Sequence, residues 1–272
     1  MTTIELIVLK LGGSLLTDKS TPYKLREEII KAVAVEIKEC IDLGLIKNLV
    51  IVHGVGSFGH PPVLKYNLHK GFRNKDQLIS MSKTQQIVNE LRKAIAIIFT
   101  EEGVPINLMH DSSMVVGSKM VITDHAFTSL KGFLSLSMVP LIGEDMMYDT
   151  KMGFSVCGGD QLAVLISREL NTKQLIFATD VDGVYKNDPK KSPEALLLKE
   201  ININEIELFI QKMDESSKDA TGKMRGKLLS LISVKDHIKK GLEVSIFSMI
   251  KKGNLKKYLE GKDFGRTKIF FR

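Results

Sequence analysis

The chain predicts an α/β fold, a mostly parallel sheet with helices on both faces. Three observations carry this. Short apolar runs alternate with amphipathic stretches of helical period along all 272 residues, the pattern that builds such a sheet. Runs such as Ile4 to Leu11 and Leu49 to Val52 are almost wholly apolar, as strands covered on both faces are. Glycine-rich loops follow several of the strands, and an open parallel sheet binds its ligands there. No linker, repeat or low-complexity stretch interrupts the pattern, so residues 1–272 are expected to form a single domain.

The elements follow in order. Ile4 to Leu11 is a strand ending in Lys10-Leu11-Gly12-Gly13-Ser14, and a loop through Thr17-Asp18-Lys19 reaches Pro22. Arg26 to Asp42 is a helix with Ile29, Ile30, Val33, Ile37 and Ile41 at helical spacing and Gly44 as its stop. Leu49 to Val52 is a buried strand, and His53-Gly54-Val55-Gly56-Ser57-Phe58-Gly59-His60-Pro61-Pro62 follows it. The two prolines are expected to keep a helix from starting there. Lys75 to Glu102 reads as a long helix whose stripe of Leu78, Ile79, Ile87, Leu91, Ile95 and Ile98 faces the core, its first turns also open to a lipid-like substrate tail. Val104 to Met109 is a strand, Asp124 to Leu136 a helix, and Met138 to Ile142 a strand. Asp145 to Val156 forms a hairpin turning at Lys151-Met152-Gly153. Gly158-Gly159-Asp160 opens a helix from Gln161 to Leu170, and the strand Leu175 to Thr179 runs into Asp180 and on to Tyr185. Asn187-Asp188-Pro189 and Ser192-Pro193 mark a loop. Ile203 to Met213 is a helix, Asp219 to Met224 a polar turn, and Arg225 to Lys240 a helix. Val244 to Phe247, a short helix from Leu255 to Leu259, and Thr267 to Phe271 complete the chain.

At 43% apolar and 26% charged residues the composition is that of an ordinary soluble protein. A net charge of +7 suits an anionic ligand, yet the lysines are scattered and only 6% of residues are aromatic, so nucleic acid is not an expected partner. Cys40 and Cys157 have no metal-ligand spacing and suggest no disulfide framework, which fits a reducing cytoplasm. No secretory leader is evident, and no run approaches the roughly 18 apolar residues of a membrane span.

The glycines at 12–13, 54–59 and 158–159 are expected to converge on one sheet edge with their amides toward a phosphate. Gly54 to Gly59 also spells G-x-G-x-x-G, but a dinucleotide site needs a helix starting inside the motif and an acid at the end of a second strand about 20 residues on, whereas Asp76 opens a helix. No G-x-x-x-x-G-K-[ST] occurs. Lys10, Lys19, His60, Asp160 and Lys227 accompany the glycine loops. Phosphoryl transfer asks chiefly for positioning and for positive charge on the oxygens between donor and acceptor. Spacing alone leaves plainer roles open: a snorkelling Lys10, a loop lysine at Lys19, a turn cap at His60, a helix cap at Asp160.

Lys10-Leu11-Gly12-Gly13-Ser14, the His53–Pro61 loop, Gly159-Asp160, Thr179 to Tyr185 and Asp219 to Lys227 together resemble the amino-acid kinase superfamily over essentially the whole chain. Ser57-Phe58-Gly59-His60-Pro61 and Thr17-Asp18-Lys19 look like its isopentenyl phosphate kinase branch. Kinases of other small phosphates or phosphonates, of the fosfomycin type, share Phe-Gly-His and Asp-Ala-Thr-Gly and are the alternative. The resemblance implies a three-layer αβα sandwich, a homodimer, and ATP with Mg²⁺ as donor, its N-terminal half binding the acceptor and its C-terminal half the nucleotide. It implies that Lys10, Leu11, Gly12, Gly13, Ser14 and Gly56 hold ATP phosphates, and that Asp180, Tyr185 and Gly222 shape the nucleotide site. Lys19 and Lys227 would neutralise the transferring group, Asp160 would orient Lys10 and Lys227, and His60, Val55 and Gly159 would take the acceptor phosphate. It names no protein ligand for Mg²⁺. Val55 stands where the family usually has glycine, so strain is expected at Val55. Glu144 adds an acid on the acceptor side, and Lys223 adds charge beside the nucleotide.

Overall fold

A computed structural model describes residues 5–18, 20–187, 189, 192, 194–216 and 221–272. The described chain opens with strand β1 (Leu6–Leu11), the single-turn helix α1 (Gly13–Leu16), helix α2 (Glu27–Asp42), strand β2 (Asn48–His53) and helix α3 (Gly56–Lys65). Helix α4 (Asp76–Glu101) follows, then β3 (Ile106–Leu108), β4 (Val115–Ser118), β5 (Val121–His125), α5 (Thr128–Ser135) and β6 (Val139–Gly143). Next come β7 (Asp145–Asp149), β8 (Gly153–Cys157), α6 (Gly159–Glu169), β9 (Gln174–Thr179) and β10 (Glu200–Asn202). Helices α7 (Ile206–Ser216), α8 (Thr221–Leu231) and α9 (Lys235–Lys239), strand β11 (Glu243–Ser248), helix α10 (Asn254–Leu259) and strand β12 (Arg266–Phe270) end it.

Among the described residues the main sheet has eight strands in the order β10-β12-β11-β9-β1-β2-β6-β3. From β11 to β3 every neighbour is parallel, and β12 turns back antiparallel to β11. Strand side chains alternate between faces, so the near-continuous apolar runs feed two cores. Val8, Val50, Val52, Leu175 and Phe177 pack with Leu162 of α6 and Leu228 of α8. Leu9, Leu11, Leu49, Ile51 and Ile176 pack with Leu15, Ile30, Phe58, Leu91 and Leu255 from α1, α2, α3, α4 and α10. Helices thus cover both faces, which gives the expected three layers.

A second sheet, β5-β4-β7-β8, stands beside this sandwich. Its β7–β8 hairpin is the expected one. Its β4–β5 arm corrects the expected helix from Asp124, because Asp124 and His125 lie in β5 and the helix begins at Thr128. The β-branched run Val121-Ile122-Thr123 favours the strand. Its turn is held by tertiary contact: Lys119 and Met120 both adopt left-handed backbone, and the Asp149 carboxylate accepts their N–H groups at 3.0 and 2.9 Å.

Three further expectations need correction. Helix α3 begins at Gly56 and runs through Pro61 and Pro62. Proline has helical φ already; what it removes is a donor to the previous turn, and Phe58 of this helix is packed into the core. Thr221 to Met224 are the first turn of α8 rather than a turn before it, while Asp219 and Ala220 lie outside the described residues, as do Asp188 and Pro193 of the expected loop. In α4, Leu78 and Ile79 are exposed. The buried face keeps the expected Leu91 and Ile95 and adds Thr84, Val88 and Arg92, polar members that disguise the period.

Candidate active site

Strand β1 carries Lys10 on the same face as Val8, toward α6 and α8, and each of those helices brings one charged residue to it. The Lys10 ammonium lies 2.7 Å from Asp160 Oδ1, and the Lys227 ammonium lies 2.9 Å from the same oxygen. Both lysines are buried, and the Asp160 side chain is 21% exposed. Burial pushes the Asp160 carboxyl up, but the two ammonium groups outweigh it and hold it well below the usual carboxylate range. For Lys227 burial wins: it pulls the ammonium down to about 8, against the opposing pull of Asp160 and with the help of Lys10. The Lys227 ammonium also sits 4.3 Å from the centroid of the Phe177 ring. Two cations on one carboxylate leave a surplus positive charge facing the loops.

Those loops interlock. The Gly12 N–H donates to Ala178 O at 2.9 Å, and the Gly54 N–H donates to Leu11 O at 2.9 Å. The Gly13 and Gly56 backbones touch so closely that a Cβ on either would collide with the other, and Gly56 also needs φ +48°. Thr17 pins the junction: its hydroxyl donates to Gly13 O at 2.8 Å and accepts the Ser57 N–H at 3.0 Å. Helices α1, α3 and α6 begin at Gly13, Gly56 and Gly159, and no side chain caps any of them. Such uncapped amides suit an anion. Gly159 follows β8 of the small sheet, so one of the three glycine loops comes from outside the main sheet. Ser14 donates to Asp180 Oδ1 at 2.8 Å, Tyr185 pairs with Leu197 in an isolated bridge, and Gly222 stands in the first turn of α8. Leu11 is fully buried. Lys19 lies outside the described residues.

His60 lines a small cleft, open to solvent, whose walls include Val63, Val88, Met146 and Val156. Val55 and Glu144 also line it, and the Val55 N–H donates to Glu144 Oε2 at 3.4 Å. The expected strain at Val55 is absent. Its φ of −95° and ψ of −20° are ordinary, because the left-handed position is Gly56, one residue later. Its buried side chain instead fills the space above Gly59, where a Cβ would collide with it.

Sequence reasoning passed over Arg92 and His53, which lie fully buried behind this cleft. The one available signal is a charged residue at helical spacing among Val88, Leu91 and Ile95. Among the described residues no group of three or more His, Cys, Asp or Glu side chains could hold a metal, and no helix is long and apolar enough to cross a membrane. Cys40 and Cys157 are free and buried.

Residues 5–248 match the amino acid kinase family. The isopentenyl phosphate kinase of Methanothermobacter thermautotrophicus is 32% identical over 97% of this chain and 98% of its own. That of Methanocaldococcus jannaschii is 32% identical over 82% of this chain and 85% of its own. A crystal structure described as an isopentenyl phosphate kinase superposes with a TM-score of 0.82 at 30% identity, covering 97% of this chain and 99% of that one.

Proposed function

This chain belongs to the amino acid kinase family, and from that premise we propose that it phosphorylates isopentenyl phosphate with ATP, yielding isopentenyl diphosphate and ADP for isoprenoid synthesis. The observation that carries the acceptor reading is the cleft, where an exposed histidine stands at apolar walls. That pairing suits a molecule with an anionic head and a short hydrocarbon tail.

A phosphate oxygen of the acceptor attacks the γ-phosphorus of ATP, forming a new P–O bond while the bond to the β–γ bridging oxygen breaks and ADP leaves. The chain's part is to align these groups and spread their charge. Lys10 and Lys227 face the transferring group, and Asp160, held ionised, aims both ammonium groups. Lys19 joins them on the sequence alone. His60 donates to the acceptor phosphate, and the backbone N–H groups of Val55 and Gly159 assist. Gly12, Gly13, Ser14 and Gly56 take the nucleotide phosphates, with Leu11 fixing the strand end. Asp180, Tyr185 and Gly222 border the nucleotide. Mg²⁺ would be held chiefly by the phosphates of ATP beside these lysines and backbone amides, and would supply further positive charge to the transferring group.

By this reading most acceptor contacts come from the N-terminal half and the nucleoside contacts from the C-terminal half, with Gly12, Gly13, Ser14 and Gly56 crossing over to the nucleotide phosphates and Gly159 to the acceptor. We place the enzyme in the cytoplasm as a homodimer; the exposed Leu78 and Ile79 of α4 offer apolar surface to a second copy. The test is ADP release with Mg-ATP over a panel of isopentenyl phosphate, fosfomycin, UMP and N-acetylglutamate. Isopentenyl phosphate should give the highest kcat/KM. No turnover of it would overturn the acceptor reading, and turnover of fosfomycin alone would move the enzyme to the phosphonate kinases.

A further inference from the structure

Arg92 of α4 is only 1% exposed and is among the largest fully buried side chains. Burying a guanidinium so completely is costly unless its donors are met. Its donors are met mainly by neutral groups. Nε–H donates to His53 Nε2 at 3.0 Å, and one terminal nitrogen donates to Asn89 Oδ1 at 2.8 Å and His110 Nδ1 at 2.7 Å. The other reaches Gly143 O at 3.5 Å. The carboxylates lie farther off, Asp145 Oδ2 at 3.5 Å and Asp111 Oδ1 at 3.6 Å.

A guanidinium has only donors, so His53 must accept at Nε2 and carry its proton on Nδ1, facing Gly54 O. Burial first, and Arg92 second, hold His53 well below the usual histidine range and therefore neutral. The His53 ring is clamped between Arg92 and Gly143, where a Cβ would collide with the ring. The His53 carbonyl in turn accepts the Glu144 N–H at 3.0 Å. One side chain thus grips the end of β2, from which Gly54 and Val55 lead, and the end of β6, from which Glu144 and Asp145 lead. Both segments reach the cleft.

We propose that Arg92 is a positioning residue for the acceptor site, tying the loop after β2 to the loop after β6 so that both keep the spacing the acceptor's phosphate requires. This rests on the acceptor reading given above. A planar fork meeting several acceptors at fixed angles cannot be replaced by an ammonium. A merely structural arginine would lower stability and disturb both substrates alike. A positioning one disturbs the acceptor alone.

The experiment compares wild type with Arg92→Lys, which keeps the charge and loses the fork, and with His53→Phe, which keeps a ring under Gly143 and loses the acceptor nitrogen. Should Arg92→Lys fail to fold, His53→Phe decides. Expected in each folded variant is a KM for isopentenyl phosphate raised by about ten-fold or more, with the KM for ATP within about two-fold, since small misplacements of reacting groups are felt strongly. Amide hydrogen exchange at 54–55 and 144–146 should quicken by about ten-fold, with β1 unchanged and with Gly56 and Ser57 still held by Gly13 and Thr17. Equal rises in both KM values, an unchanged acceptor KM, or unchanged exchange at the two loops would each overturn the proposal. If wild type ignores isopentenyl phosphate, the acceptor reading falls alone and the exchange rates judge Arg92.

Discussion

At Asp160 Oδ1 two ammonium groups share one carboxylate oxygen, so neither lysine can be removed without changing how the other is aimed. Replacing Lys10 or Lys227 with alanine should lower kcat by roughly 10²–10³-fold, the scale for losing one transition-state donor, and unchanged turnover in both variants would refute the mechanism. Lys227 also sets a pH limit. Its ammonium loses its proton at about pH 8 in the free enzyme, so kcat/KM should fall about ten-fold per pH unit above that point. The Lys227→Arg variant, which keeps its charge, should lack that limb. Stability runs the other way. The unfolded lysine holds its proton to about 10.5, so burial of the charge opposes folding below pH 8, and that opposition fades as pH rises toward 10.5. On the acceptor side, His60→Ala should cost roughly 10–150-fold in kcat/KM for isopentenyl phosphate, the worth of a hydrogen bond to a charged group, and His60→Asn should cost less. A defect confined to the KM for ATP would put His60 on the nucleotide side. Lys10, His60 and Asp160 stand beside glycine loops, but spacing alone left them plainer roles, and the resemblance to the amino-acid kinase superfamily is what singled them out together with Lys227. Arg92 was not legible, because a lone charge in a helical stripe reads as solvated surface until tertiary contacts bury it.

Helix α3 shows how an element escapes a local rule. Its two prolines argue against a helix, yet its glycines let it approach β1 and the Gly13 loop, and packing decides what propensity leaves marginal. The Val55–Gly59 contact inside its first turn is testable. Gly59→Ala should destabilise the protein by about 1–3 kcal/mol through overpacking, and adding Val55→Gly, which removes the Cβ together with both methyls, should recover most of that loss. Thermal unfolding of the two single variants and the double variant measures the coupling, and strictly additive effects would refute the contact. Val55→Gly, which relieves no strain because none exists, should instead widen the cleft and raise the KM for isopentenyl phosphate. Most strands and long helices were read to within a few residues, since their apolar runs act locally, but strand β10 was missed and the helix expected from Arg225 to Lys240 is divided, α8 ending at Leu231 and α9 starting at Lys235. The β4–β5 arm and the first turn of α8 were missed because the contacts that fix them lie elsewhere in the chain: Asp149 holds the turn of β4–β5, and the core beneath α8 draws in Leu228 and Leu231.

Across the whole molecule, the proposed nucleotide and acceptor sites meet beyond the C-terminal ends of the central strands β9, β1 and β2. Their binding should be separable by mutation. Ser14→Ala, which removes one hydrogen bond to Asp180 in the proposed nucleotide site, should raise the KM for ATP while leaving the KM for isopentenyl phosphate nearly unchanged; equal rises in both would refute the division. If two copies meet through α4, Ile79→Lys should shift sedimentation from dimer to monomer. The strand order has a consequence for the chain as it is made. Strand β1 gains β2 on one side after some forty residues of synthesis, but its other neighbour, β9, begins only at Gln174. Until then the nascent chain presents the open backbone of a six-residue strand that is apolar except for Lys10. Such an edge recruits other chains. Ribosome-stalled fragments ending before β9 should therefore need a chaperone to stay dispersed, and the appearance of β9 should release them from it.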